Sequence, residues 1–190
     1  MINCAKIGKN LVLGDCGRST AAIEPEMVLL NFDDWKAATK EIDGNVLSSL
    51  VLATGANGYK YESLKNSFEK DCTLAKGTYQ NGFDHKVVAR VFANTQDIKD
   101  EVIKLSAAKV VAILKNSDSK TGAIVYEAYG ADNGLEMSEL TSPSTDTDGI
   151  HYSFTLASGD NAKESSLPLT LNAGSEAETK AMVDALCKAE

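Results

Sequence analysis

The sequence predicts an α+β domain made mostly of antiparallel strands, a β-sandwich or barrel-like arrangement carrying one central helix and a C-terminal helix. Three observations lead there. Apolar and polar residues alternate with period two from Tyr59 to Phe92 and again from Ile150 to Ala157. The stretch Asn94 to Ala108 instead repeats its apolar residues every three to four positions. An S-x-x-E capping box at Ser175 and Glu178 opens a second helix near the C-terminus. The 190 residues contain no tandem repeat and no linker, so residues 1–190 read as a single domain.

The elements follow in order. Residues 1–25, punctuated by Gly8, Gly14, Gly17 and Pro25, read as an extended arm. Glu26 to Phe32 (EMVLLNF) is an apolar run suited to a buried strand, and the lone Trp35 after it reads as a core or interface anchor. Asp33 to Asp43 accommodates a helical turn that Gly44 ends. Val46 to Leu52 reads as a strand, followed by the turn GANG at 55–58. Strands are expected from Tyr59 to Ser67, on to Cys72, and from Phe83 to Ala93, with turns at KGT 76–78 and NGF 81–83.

In the helix, Ile98, Val102, Leu105 and Ala108 form the apolar stripe, and Asn94 or Thr95 caps it. Glu101 falls with the charged residues assigned to its other face. Lys109 to Leu114 (KVVAIL) is a buried strand, Ala123 to Tyr129 another, and ADNG a turn into Leu135 to Ser138. Glu139 to Asp148 reads as a polar loop. Ile150 to Ala157 alternates with His151, Ser153 and Thr155 outward. Pro168 removes an amide, so the strand Ser166 to Leu171 belongs at a sheet edge or keeps Pro168 on its unpaired side, and the last helix runs to Lys188.

Charge is uneven. The net charge is −8, and Asp118 to Glu164 holds nine acids against Lys120 and Lys163. Such a surface repels phosphates, which excludes tight nucleic-acid binding there. A solvated face that aids solubility is the plain alternative. No apolar run approaches the roughly 18 residues of a membrane span, and the N-terminus lacks a signal peptide's apolar core. A cytoplasmic chain, or one released by lysis, is expected. Cys4, Cys16, Cys72 and Cys187 are scattered without a CxxC pair, which suits reduced, small hydrophobic side chains. A zinc site from Cys4, Cys16, Cys187 and a histidine remains open only if the termini meet.

Tests for chemistry fail one by one. GDCGRST at 14–20 lacks the first glycine and the lysine of a phosphate loop, with Val12 and Arg18 in those places. The stretch 144–155 imitates a calcium loop at Asp146, Asp148 and Gly149 but ends in Thr155, where a bidentate Glu is required. His85 and His151 have no GxSxG or HExxH context and read as surface or interface residues. No catalytic residue, cofactor or metal is expected.

Several segments in order resemble one family. They are NCAKIGKNLVLGDC, MVLLNFDD, IKDEVIKL with AAKVVAIL, YGADNGLEMSEL, and GIHYSFTLASGDNAKESSLPL. Together they make the chain similar to the major tail (tail tube) proteins of tailed bacteriophages, in particular a type associated with phages of Bacteroides and relatives. The C-terminal helix matches least.

The resemblance implies a virion protein assembled in the host bacterial cytoplasm. Six copies would form a ring, and stacked rings a tube through which genome DNA passes without specific binding. Other tail proteins would cap its ends. A negative bore would let DNA slide, and Glu127, Asp132, Glu136 and Glu139 are the candidates to face the lumen or a ring junction. The arm 1–25 and the loop from about Lys70 to Asn81 are candidates for contacts between rings. Three other readings stand beside this one: an inner-tube protein of a contractile tail or injection system, a soluble carbohydrate- or protein-binding β-sandwich, and a hydrolase with a carboxylate pair.

Overall fold

Two strands organise the molecule, β1 (Ile23–Asn31) and β7 (Lys109–Asn116), paired antiparallel with Met27 opposite Leu114 and Leu30 opposite Val111. Their unbroken apolar sequences follow from burial on both faces. Met27, Leu29, Val110, Ala112 and Leu114 face one core, while Val28, Leu30, Val111 and Ile113 face a second. Period two therefore operates here between two apolar layers and leaves no polar face to read. The computed structural model describes residues 23–64, 67–78, 81–92, 95–116, 125–143 and 151–187. The arm as far as Ala22, with Cys4, Cys16 and GDCGRST, lies outside them, as does most of the calcium-like stretch.

The remaining elements are α1 (Phe32–Ala37), β2 (Thr39–Asp43), β3 (Val46–Val51), β4 (Gly58–Glu62), β5 (Phe68–Ala75), β6 (Gly82–Val91), α2 (Gln96–Leu105), β8 (Tyr126–Tyr129), β9 (Leu135–Thr141), β10 (Tyr152–Ser158), β11 (Leu169–Leu171) and α3 (Glu176–Asp184). The fold is thus a β-rich α+β fold on one mixed sheet, with three short helices among the described residues. The strand path runs β2-β3-β11-β8-β7-β9-β10-β6-β5, and β1 joins β7 to β4.

The sheet forks at β7. One edge of β7 carries β1; along the other lie β8, opposite Ala112 to Lys115, and β9, opposite Lys109 and Val110. β8 and β9 form one line of chain interrupted by the turn Gly130 to Gly134. Beyond it, β8 pairs with β11 and β9 with β10, so each half of the interrupted strand starts a different wing. The β9 wing, with β1, β4 and α2, encloses the core of Tyr61, Phe68, Val87, Leu105, Leu135 and Phe154. The β8 wing, with α1 and α3, encloses Trp35, Leu47, Leu50, Tyr126, Leu171 and Leu186.

Several expectations need correction. Ile23 to Pro25 belong to β1, with an irregularity between Ile23 and Met27 that leaves Pro25, which has no N–H, out of the regular ladder. Where one helical turn was expected over 33–43, α1 is followed by strand β2; Lys40 turns back to donate to the Trp35 carbonyl. Residues 59–75 divide as β4 and β5 around Ser63 and Ser67, so Lys70 to Ala75 are strand and not loop. β9 extends through Glu139 to Thr141, which had been assigned to a loop. β11 is an interior strand that runs parallel to β3. Pro168 precedes it and so removes no ladder bond; its carbonyl accepts from Asn45 Nδ2 at 2.8 Å.

The caps hold as read. Thr95 Oγ1 accepts the Ile98 amide, and Ser175 Oγ accepts the Glu178 amide at 3.2 Å while donating to that residue's carboxylate at 2.8 Å. α3 ends at Asp184, four residues short of the expected Lys188.

Candidate functional site

The four acids singled out from sequence lie along the interrupted strand: Glu127 on β8, Asp132 in the fork turn, Glu136 and Glu139 on β9. Their surroundings differ. Glu127 is only 16% exposed; it takes Lys70 of β5 as an ion-pair partner and accepts from Asn116 Nδ2 at 3.2 Å. Glu136 is exposed and pairs with Lys109 at 2.8 Å. Asp132 accepts the Ser165 amide at 2.9 Å and the Ser165 hydroxyl through the same Oδ2. Glu139 is exposed and receives a long bond, 3.4 Å, from Thr155 Oγ1. Two of the four thus have a lysine at hand, which lowers their combined field.

Glu136 also borders a cleft between α1 and the α2–β7 connection, with Phe32, Lys36 and Lys109. The Lys36 and Lys109 ammoniums lie 4.8 and 5.8 Å from the Phe32 ring centre. Among the described residues no group of three or more His, Cys, Asp or Glu side chains could hold a metal ion.

The fork turn is where buried polar chemistry collects. Gly130 and Gly134 take φ of 78° and 75°, the left-handed region that only glycine enters without strain. A Cβ on Gly134 would sit 2.5 Å from Lys109 Cγ and 3.0 Å from the Phe32 ring. The turn's amides point at Glu164, a carboxylate only 1% exposed: Asp132 N–H donates to one oxygen at 2.7 Å and Asn133 N–H to the other at 3.0 Å. Burial pushes the Glu164 carboxyl above its ordinary range, and the two amides oppose that shift.

His85 of β6 completes the turn's support. Gly130 N–H donates to its Nδ1 at 3.1 Å, and its Nε2–H donates to the Ser166 carbonyl at 3.0 Å, which defines a neutral Nε2–H tautomer. Its ring meets the Tyr129 ring edge-on at 5.4 Å. Burial first, set against nearby carboxylates, holds its pKa below 6.5.

Both histidines were expected at a surface or interface, and both are buried. His85 shares its parity with Val87, Ala89 and Val91, so the alternation of β6 itself carried the signal. His151 precedes β10, escapes that strand's alternation and lies against the Phe92 ring at 4.9 Å. Glu101, expected on the solvent face of α2, is fully buried, three residues after Ile98 and four before Leu105 on their side of the helix. Glu164 left no signal, because its role depends on a turn thirty residues upstream.

Together these features describe a β-rich α+β fold with a turn at its fork whose backbone amides hold a buried carboxylate and, among the described residues, outermost strands paired on one side only. No protein-family model matches the chain, and comparisons with characterised proteins and with solved structures give no significant match.

Proposed function

We propose that this chain is a structural subunit that assembles with copies of itself, in stacked hexameric rings, as the tail tube of a bacteriophage and the conduit for its DNA. One observation carries the reading. Among the described residues the outermost strands β2 and β5 each pair on one side only, and they and the adjoining β3 hold Ile42, Leu74 and Val51 at 48, 52 and 60% exposure. A chain that stays monomeric blunts such edges, whereas an assembling one covers them with a neighbour's strands.

The charge distribution supports the same reading. Asp132, Glu136 and Glu139 are exposed along one line of chain, as a wall facing passing phosphates requires, and Glu127 and Glu136 contribute less because Lys70 and Lys109 screen them. The sequence resemblance supplies the tube geometry and the ring number.

Electron microscopy of the purified protein at rising concentration tests the proposal. Six-fold rings or hollow tubes are the expected product. A species that stays monomeric at every concentration, and also when tail-tip complexes are supplied to start growth, would overturn it.

A further inference from the structure

Residues 159–168 form a strap laid across the fork, and it is tied at points along its length. Glu164 exchanges backbone bonds with Phe83 at 2.9 and 3.0 Å, Asn133 Nδ2 donates to the Lys163 carbonyl at 2.7 Å, and Lys163 pairs with Asp84 at 2.5 Å. Its Ser166 end is held by the His85 ring. We propose that this ring is a proton-operated latch on the fork turn: acid protonates His85 at Nδ1, sets that nitrogen against the Gly130 amide and frees the turn from β6, while Nε2–H keeps its hold on Ser166 and the sheet stays folded.

The geometry gives the reason. Nδ1 accepts from the Gly130 amide, so a proton added there would face a donor with a donor. Gly130 cannot easily turn its amide away, because the left-handed φ of 78° that aims it also forms the fork turn. His85 is 1% exposed, so losing that bond leaves a buried donor unsatisfied.

Charged and titratable neighbours surround the ring: Asp84 beside it on β6, Cys72 opposite on β5, Glu127 and Tyr129 on β8, and Asp132 in the turn. The bond to the Ser166 carbonyl and the three carboxylates favour a charged ring, but burial outweighs them, and the folded pKa lies below 6.5. With the folded value depressed, the latch's contribution is complete above the free imidazole's pKa and is lost as pH falls through the folded one. Glu164 titrates in the opposite sense, since burial raises its pKa; its protonation does not drive release.

Hydrogen exchange on the full chain from pH 7.5 to 5, corrected for the intrinsic rate, tests the latch independently of any assembly. The Gly130 amide is expected to lose protection by about tenfold per pH unit below 6.5, levelling at the folded pKa, while β1 and β7 stay protected. His85→Gln, which keeps a donor and an acceptor but cannot titrate, is expected to flatten that dependence. Should the variant not fold, the wild-type imidazole nitrogen shifts decide instead: an Nε2–H tautomer titrating below 6.5 upholds the latch. Protection at Gly130 that ignores pH, an equal acid loss in His85→Gln, or titration at or above 6.5 would each overturn it.

Discussion

The Trp35 indole N–H donates to the Ala131 carbonyl at 2.8 Å, tying α1 to the first residue beyond Gly130 in the fork turn. Trp35 is 2% exposed and is the only tryptophan, so its fluorescence reports on the fork itself. Trp35→Phe leaves a carbonyl without its donor and a void beside it. The expected loss is about 2–4 kcal/mol, read by circular dichroism during urea unfolding. A loss under about 0.5 kcal/mol would show that the bond contributes little.

Gly134→Ala tests the fork's backbone. The new methyl meets Lys109 and the Phe32 ring at a φ of 75°, where any L side chain is strained. A destabilisation of about 1–3 kcal/mol is expected, against a few tenths for alanine at Gly159, whose nearest Cβ contact is an ordinary 3.5 Å. Equal effects at both positions would remove the special role given to Gly134.

Lys70 and Glu127 bridge β5 to β8 with their side chains only 24% and 16% exposed. Removing the lysine strands a largely buried carboxylate, so Lys70→Ala should cost about 1–3 kcal/mol; Lys70→Ala with Glu127→Gln should recover part of it. A double-mutant cycle measures that coupling, and additive losses would mean the pair is no more than a surface contact.

The assembly reading predicts a split between folding and association. Ile42→Lys with Leu74→Lys places charges on the outer strands β2 and β5 without touching either core. The melting temperature should stay within a few degrees of wild type while rings and tubes disappear from micrographs and sedimentation profiles. Tubes that form unchanged would move the interface elsewhere.

Much of the fold was legible because apolar period and burial agree. The stripe Ile98, Val102 and Leu105, the cap at Thr95 and the run KVVAIL occupy the places their spacing dictates; Ala108, expected to continue the stripe, lies past the end of α2 but is buried in the same core. Which side chains point inward was harder to read where an extra residue shifts the period, although β3 itself lies where it was expected. In β3, Glu41 faces Ser49 but Ile42 faces Leu47, and the bulge lets Leu47 and Leu50 both point inward although they are three apart. A similar shift in β9, where Thr155 faces Glu139 but Leu156 faces Met137, carries the strand into what reads as a loop. The candidate acids were legible as a cluster in sequence, but the partners of Glu127 and Glu136 come from β5 and the start of β7, and no local pattern announces them.

The strands β1 and β7 each supply alternate side chains to two cores, and this has a consequence for how the domain melts. Neither core can loosen alone, because withdrawing Leu29 from one carries Leu30 out of the other. The two wings therefore share a single transition. Denaturant should meet one cooperative unit whose last-exchanging amides lie in this central pair, however differently the rims behave.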